Sequence, residues 1–170
     1  MRSKKQRETR TEAKPSSRKV KDKYETINCS GRLMNKYLTG NQMNEKVKYW
    51  LDLSDYDYDT AFAMQQSGRY LYVGFMCHQT IEKLLKAYFN LVNSEPAPYT
   101  HSLSYLAKKA GIYESFSDEF KDFIDVLEPL NIQTRYPSHK EKLMQGLTKE
   151  KCEEILKNTK ELHSWIRAKL

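Results

Sequence analysis

The sequence predicts an all-α fold: an antiparallel four-helix up-and-down bundle with an additional short helix. From Met43 onward, apolar residues recur at i, i+3 and i+4, and no stretch alternates with a period of two. The 170 residues include only six glycines, and breaks rich in Gly, Pro and Ser divide the apolar pattern into four long segments and one short one. Because short connections place successive helices in opposite directions, these segments predict an antiparallel bundle.

The first helix is predicted to begin after Asn44, a favourable N-cap residue, and to end near Gln66, where Ser67 and Gly68 break the pattern. Its apolar residues are predicted to face the core. They are Val47, Trp50, Leu51, Tyr58, Ala61 and Phe62, with Leu53 and Met64 as further candidates.

The second helix, from about Arg69 to Asn93, is the most apolar segment and is predicted to be the central helix of the core. At about 1.5 Å per residue it is long enough to run the length of a small bundle. Its predicted core residues are Val73, Met76, Cys77, Ile81, Leu84, Leu85, Tyr88 and Val92.

The prolines of SEPAPY cannot continue a helix, so the second helix ends before them. Thr100 is predicted to cap a short helix from His101 to Ala110, which Gly111 ends. Ser117 is then predicted to cap a helix from Asp118 to about Leu130, with acids in its first turn.

After a loop of about 16 residues, Thr148 is predicted to cap a final helix that runs to Lys169. Its acids come early and its basic residues late, which is the order that the helix dipole favours. Its apolar face contains Ile155, Leu162, Trp165 and Ile166.

The positive charge of the chain lies in residues 1–42, which carry a net charge of +8, whereas residues 43–170 carry −1. Residues 1–42 contain few large apolar residues, so they are predicted to be a disordered basic extension, and residues 43–170 the folded domain. The extension either grips phosphate or lies upstream of a native start at Met43. It lacks the apolar core of a secretory signal, and no later segment is apolar enough to span a membrane.

The three cysteines, Cys29, Cys77 and Cys152, are far apart and form no CxxC pair. Cys77 and Cys152 lie within helical patterns, where a cysteine is typically a small buried apolar group. We therefore expect a protein of the reducing cytoplasm, with neither a disulfide nor a zinc site.

A polar patch interrupts the apolar second helix at His78, Gln79, Glu82 and Lys83. His78 and Glu82 are i, i+4 neighbours, as are Gln79 and Lys83, so hydrogen bonds along this face are expected. The patch is either a solvated or interface-facing stripe, or the wall of a cleft in which Lys83 and Gln79 bind a phosphate or a base.

Four acids of the first helix form a second polar group. DYDYD resembles the start of an EF-hand loop, but Thr60 replaces the turn glycine and Gln66 the bidentate glutamate, so calcium is not expected. Asp52, Asp55 and Asp59 share one helix face, which predicts a solvated surface or ion pairs across a dimer. No histidine stands at ligand spacing from them, so no metal site is predicted.

The stretch QTRYPSHK places Arg135 and His139 around a Tyr-Pro step. Because Tyr136 precedes a proline, it is biased toward an extended conformation, and Arg135 is predicted to lie on a loop. An arginine can bind a phosphate with several donors, and a histidine can transfer a proton near neutral pH. A structural anchor, with the guanidinium capping helix carbonyls, is the alternative for Arg135.

Together these features resemble the HEPN (higher eukaryotes and prokaryotes nucleotide-binding) domain family over residues 43–170. The residues that carry the resemblance are Trp50, Asp59, Ala61, His78, Gln79, Glu82, Lys83, Leu85, Lys86, Ala87, Thr100, His101, Leu103, Leu106, Arg135, Tyr136 and Pro137. The resemblance implies a cytoplasmic helical bundle, commonly a homodimer, that acts with a separate minimal nucleotidyltransferase. Many members are metal-independent endoribonucleases of toxin–antitoxin or defence systems, with an R-x(4–6)-H motif at the dimer interface.

Here Arg135 and His139 form R-x(3)-H, one residue shorter than that motif and interrupted by a proline. Glu141 stands where the toxin branch has a tyrosine. The RYP element fits better the branch without the nuclease motif, so we expect a non-catalytic module that binds a nucleotide or an RNA phosphate, with no other cofactor. Its expected ligand-binding residues are Gln79, Lys83, His101, Arg135 and Tyr136.

Two alternatives remain open. The first is a metal-independent endoribonuclease that uses Arg135 and His139. The second is a protein-interaction module without a ligand.

Overall fold

The computed structural model describes residues 44–133 and 146–170, and all helices in this part of the chain are packed together. They are α1 (Glu45–Gln66), α2 (Tyr70–Val92), α3 (Leu103–Lys109), a 3₁₀ turn (Tyr113–Ser115), α4 (Asp118–Gln133) and α5 (Lys149–Arg167). The predicted all-α fold is confirmed. The predicted extension 1–42 lies outside the described residues.

The long helices alternate in direction. The short turn of residues 67–69 joins α1 to α2, and Trp50, near the start of α1, lies beside Lys86 in the second half of α2, so these helices are antiparallel. α4 is also antiparallel to α2, because the absent side chain of Gly74 leaves room for Leu130, near the end of α4, against the start of α2. The bond from Gln65 to Glu153 and the pair of Asp55 with Arg167 place α5 antiparallel to α1. This is the predicted up-and-down bundle.

As predicted, α2 is the central helix, and it contacts α1, α3, α4 and α5. Five of its eight predicted core residues, Val73, Cys77, Ile81, Leu84 and Leu85, are buried. Met76 and Tyr88 are partly buried and pack against the core. Val92 is exposed because it lies in the last turn, beyond the packed part of the helix.

Asn44, Ser117 and Thr148 cap their helices as predicted. The prediction for α3 is wrong by two residues, because its N-cap is Ser102, whose hydroxyl accepts from Tyr105 N. Thr100 instead accepts from Ser102 N, one step before the helix. The helix α4 continues past the predicted end at Leu130, with Pro129 inside it.

The residues that α1 buries differ from its predicted apolar face, and they include the polar Ser54 and Gln65. Phe62 is predicted to belong to the apolar face but is 54% exposed, whereas Asp57 is buried. On α5 the predicted face is confirmed, since Ile155, Leu162 and Ile166 are buried and Trp165 packs against the core. No helix within residues 44–133 and 146–170 is both long and apolar enough to cross a membrane.

Candidate ligand-binding site

Glu82, on the second half of α2, is the centre of a buried polar cluster. Its side chain is almost fully buried, and each carboxylate oxygen accepts one hydrogen bond from a cationic or imidazole group. Lys86 Nζ donates to Oε1 at 2.7 Å, and His101 Nδ1 donates to Oε2 at 3.0 Å. The ammonium of Lys86 also lies 5.1 Å from the centre of the Trp50 ring. Four residues of the HEPN-like pattern therefore form one chain of contacts, from Trp50 through Lys86 and Glu82 to His101.

The pKa of Glu82 reflects two opposing effects. Burial raises it, but the hydrogen bonds from Lys86 and His101 outweigh burial and hold the pKa below its ordinary value. The carboxylate is therefore charged at neutral pH. A charged carboxylate at this depth is stable because its partners satisfy both oxygens.

His78 lies one turn before Glu82 and is fully buried. The expected His78–Glu82 hydrogen bond does not form, because Nδ1 is 3.7 Å from Oε2 and His101 and Lys86 occupy the carboxylate. Neither ring nitrogen has a well-formed hydrogen bond to the described residues. Burial lowers the pKa of His78 to about 4, against the opposing charge of Glu82 and the backbone of His101. The ring is therefore neutral at neutral pH and closed to solvent.

Gln79 and Lys83 stand on α2 beside α1, but they do not interact as expected. The ammonium of Lys83 binds Asp57 of α1, a buried carboxylate, so its charge is already compensated. Gln79 is half-buried, and its Nε2 is a buried donor without a hydrogen-bond partner in the part of the chain that the structure describes. An amide held in this way can donate to an acceptor that reaches it.

Glu128 of α4 fixes the segment that carries His101, and no local sequence pattern predicts this role. Its Oε1 accepts from Ser104 N and Ser104 Oγ, both at 2.8 Å, and from Ser102 Oγ at 3.0 Å. Burial raises the pKa of Glu128, but these hydrogen bonds outweigh it and leave the pKa lowered. The start of α3 is therefore tied to α4, and His101 is held over Glu82.

Arg135, Tyr136 and His139 lie outside the described residues. The described part of α4 ends at Gln133, five residues after Glu128, at the end of the bundle where α2 begins. Of the expected ligand-binding residues, the structure brings His101 onto the cluster around Glu82. It places Lys83 and Gln79 on the neighbouring surface of α2.

The acids of α1 are not grouped as a metal site. Arg167 Nη1 donates to both oxygens of Asp55, at 2.5 and 2.6 Å, within the same chain, while Asp52 and Asp59 are exposed. Within residues 44–133 and 146–170, no three His, Cys, Asp or Glu side chains are arranged to hold a metal ion. Cys77 and Cys152 are buried, as predicted, and burial raises their pKa values to about 12 and about 11.

The HEPN domain family model matches residues 47–169, which include every helix described above except the first two residues of α1. The chain belongs to the HEPN domain family. A crystal structure of TT1696 from Thermus thermophilus has the same fold as this HEPN domain, with a TM-score of 0.66 and 20% sequence identity. The similarity covers 75% of this chain and all of the other. A comparison with curated proteins found no match.

The cluster in this HEPN domain has two parts with different chemistry. The buried part, around Glu82 and His78, compensates its own charges and positions His101. The accessible part is the edge of His101, whose side chain is 53% exposed. Gln79 is half-buried, and its Nε2 atom is enclosed.

Proposed function

We propose that this HEPN domain is a non-catalytic module that binds a nucleotide or an RNA phosphate and acts in the cytoplasm with a separate minimal nucleotidyltransferase. The observation that carries the binding role is the buried, unpartnered Nε2 of Gln79 in the described part of the chain. Leaving a buried amide donor without an acceptor costs about 1–3 kcal/mol. When the half-buried Gln79 side chain turns toward solvent, a phosphate or base oxygen accepts from Nε2 and removes this cost.

The proposed ligand takes its charge compensation from Arg135. Lys83, Lys86 and His101 each contact a carboxylate of their own chain, so they offer a ligand less free charge than their number suggests. Arg135 supplies the fork of donors that suits a phosphate, and Tyr136 supplies a ring for the base. Gln79 and the exposed edge of His101 complete the proposed contact set, with Lys83 at its border.

Two groups of the cluster are too enclosed to serve as a general acid or base. A general acid or base must reach the reacting group, and His78 is fully buried with a pKa of about 4. The carboxylate of Glu82 is likewise enclosed by Lys86 and His101. The short Arg135–His139 spacing supports the same proposal.

Ligand binding is tested by calorimetric titration of the full chain with ATP and with a short RNA. Arg135→Ala is expected to abolish binding, because it removes the phosphate contact. Gln79→Glu is expected to weaken binding about tenfold or more, because it replaces a donor with a negative charge. The matched control is Ser94→Glu, which adds the same charge at an exposed position. Wild-type affinity in Arg135→Ala would refute the proposed site.

An RNA cleavage assay in EDTA distinguishes the proposed module from a metal-independent endoribonuclease. The proposal predicts no cleavage and no growth arrest on expression. Cleavage that persists in EDTA and disappears in His139→Ala would instead identify a toxin-type nuclease. A stable complex with a nucleotidyltransferase, without any nucleotide or RNA binding, would identify an interaction module.

A further inference from the structure

A groove between α4 and α5 combines aromatic rings with lysines. Its volume is about 490 Å³, and the described residues that line it are Phe120, Lys157, Lys160, Glu161, Ser164 and Trp165. Gln79 and Lys83, in contrast, stand on α2 beside α1. The groove is therefore separate from the candidate ligand-binding site.

The rings of the groove are held in a fixed arrangement. Trp165 packs edge-to-face against Phe116, with centroids 5.3 Å apart, and against Phe120 at 5.8 Å. Phe116 is buried and anchors both rings, while Phe120 and Trp165 are half-buried. Lys169 places its ammonium 4.2 Å from the centre of the Trp165 ring. The indole thus lies at the surface with a cation beside it.

The same combination of ring and lysine continues beyond the groove. Tyr113 packs against Phe116 at 6.0 Å. The ammonium groups of Lys108 and Lys121 lie 4.6 and 5.8 Å from the centre of the Tyr113 ring. We call the two sets together the aromatic–lysine belt, which joins α3, the 3₁₀ turn, α4 and α5.

The groove is positively charged in a domain that is close to neutral. The described lining of the groove includes two lysines, Lys157 and Lys160, and one acid, Glu161, whose carboxylate is 4.0 Å from Lys157 Nζ. Lys169 adds a third ammonium beside the Trp165 ring. Residues 43–170 as a whole carry a net charge of −1. The local excess of lysines therefore favours an anionic partner.

We propose that the aromatic–lysine belt binds single-stranded RNA, with one base against Trp165 and Phe120 and the backbone phosphates on Lys157, Lys160 and Lys169. Aromatic platforms flanked by basic side chains bind single strands in this way, and stacking contributes about 1–3 kcal/mol per base. An amphipathic helix fits less well, because it inserts apolar anchors at several positions and needs a continuous apolar groove. Only Phe120 and Trp165 are apolar among the described lining residues.

This inference extends the proposed function, since it assigns RNA as the ligand and adds a second contact surface for it. It is tested with the full chain and an oligouridylate of roughly ten nucleotides, within the range that single-strand sites accommodate. The main variant is Lys157→Glu with Lys160→Glu, two exposed positions whose change leaves the core intact. The matched control is Lys46→Glu with Lys149→Glu, which changes the net charge equally and lies outside the groove.

The groove variant is expected to bind the oligouridylate at least tenfold more weakly than the wild type, and the control within about twofold. Base stacking is read out from tryptophan fluorescence, since the chain contains only Trp50 and Trp165. The oligouridylate should quench the wild type and leave Trp165→Phe largely unquenched. Equal affinity of the groove variant and the control would overturn the inference.

Two further outcomes separate the possible failures. Wild-type affinity in the groove variant, together with loss of binding in Arg135→Ala, would overturn the second surface and leave the proposed site intact. Wild-type affinity in both the groove variant and Arg135→Ala would overturn both the second surface and the proposed site. Quenching of Trp165 by an acidic peptide but not by RNA would identify a protein-docking surface and overturn the assignment of RNA.

Discussion

Glu82 links the elements around the candidate site, because a carboxylate of α2 binds a lysine of the same helix and a histidine before α3. Lys86 is buried with it, and the Trp50 ring of α1 lies beside the ammonium. The charges of Glu82 and Lys86 are therefore compensated only while both residues are present. At the scale of single residues, the polar part of the family pattern therefore makes structural contacts within the domain.

Glu82→Gln should lower the free energy of unfolding by about 3 kcal/mol, because breaking a buried pair leaves the Lys86 ammonium without its counter-charge. The measurement is urea denaturation at pH 7. An unchanged slope of the unfolding free energy against urea concentration would show that the folded state is otherwise intact. Glu161→Gln, at an exposed position, is the control and should change stability by less than about 0.5 kcal/mol. Equal effects of the two changes would contradict the role given to Glu82.

The pKa of His78 makes stability depend on pH in a defined direction. Its pKa in the folded state, about 4, lies below the ordinary 6.5, so the unfolded chain binds the proton more readily. The contribution of neutral His78 to the free energy of unfolding is thus fully present above pH 6.5 and is lost as the pH falls toward 4. The shift corresponds to about 3 kcal/mol.

His78→Leu should flatten this dependence, because leucine does not titrate. Unfolding free energies measured at about pH 7, 5.5 and 4.5 should fall less steeply in the variant than in the wild type. The carboxylates Glu82 and Glu128, with lowered pKa values, lose their contribution at lower pH in both proteins. If the unfolding free energy depends on pH equally in the wild type and in His78→Leu, protonation of His78 does not destabilise the fold, and the prediction is contradicted.

At the scale of elements, the turn between α1 and α2 sets the antiparallel hairpin. Gly68 has a φ of +70°, Arg69 N donates to Met64 O, and Gly68 N donates to Gln65 O. This pattern satisfies the last carbonyls of α1 and requires a left-handed residue after the helix.

Gly68→Ala should lower the free energy of unfolding by about 1 kcal/mol, because alanine is strained at positive φ. No neighbouring atom lies within 4 Å of the added Cβ, so the effect isolates the backbone conformation. Gly146→Ala is the matched control, since that site is equally open and lacks a positive φ. Thermal unfolding of both variants checks the prediction, and an equal shift in both would contradict it.

Helix positions could be predicted from the sequence because their signals are local. Asn44, Ser67–Gly68 and Thr148 act within one turn of the helix ends that they determine. The predicted start of α3 is wrong because Thr100 and Ser102 are both good caps, and Glu128 of α4 binds the second one. A partner 26 residues away leaves no trace in local periodicity.

The candidate site could be predicted only in part, because its positions follow from local spacing but its contacts do not. The spacing of His78, Gln79, Glu82 and Lys83 located the polar patch on α2, but it did not predict their partners. The buried Asp57 could not be predicted either, because it depends on the counter-charge that Lys83 of the neighbouring helix supplies. Pairing between helices is a tertiary property, so it requires the packed bundle.

At the scale of the whole molecule, the exposed side of α1 carries large aromatic side chains in contact with solvent. Tyr49 and Tyr56 stand seven residues apart on α1, with half-buried Leu53 between them, and are 58% and 70% exposed. Residues seven apart lie on the same face of a helix, so the two rings belong to one surface. We propose this side, here called the tyrosine face, as the contact between two copies of the chain.

Tyr49→Lys combined with Tyr56→Lys should therefore weaken self-association at least tenfold, because it places two charges in the proposed contact and removes two rings that it would bury. Sedimentation equilibrium over a range of concentrations measures the dissociation constant directly. Tyr99→Lys is the matched control, since Tyr99 is fully exposed and lies in the loop after α2, away from the tyrosine face. A wild-type protein that sediments as a monomer, or a double variant that associates like the control, would exclude the tyrosine face as the dimer contact. Loss of association in the double variant alone would assign the contact to the exposed side of α1.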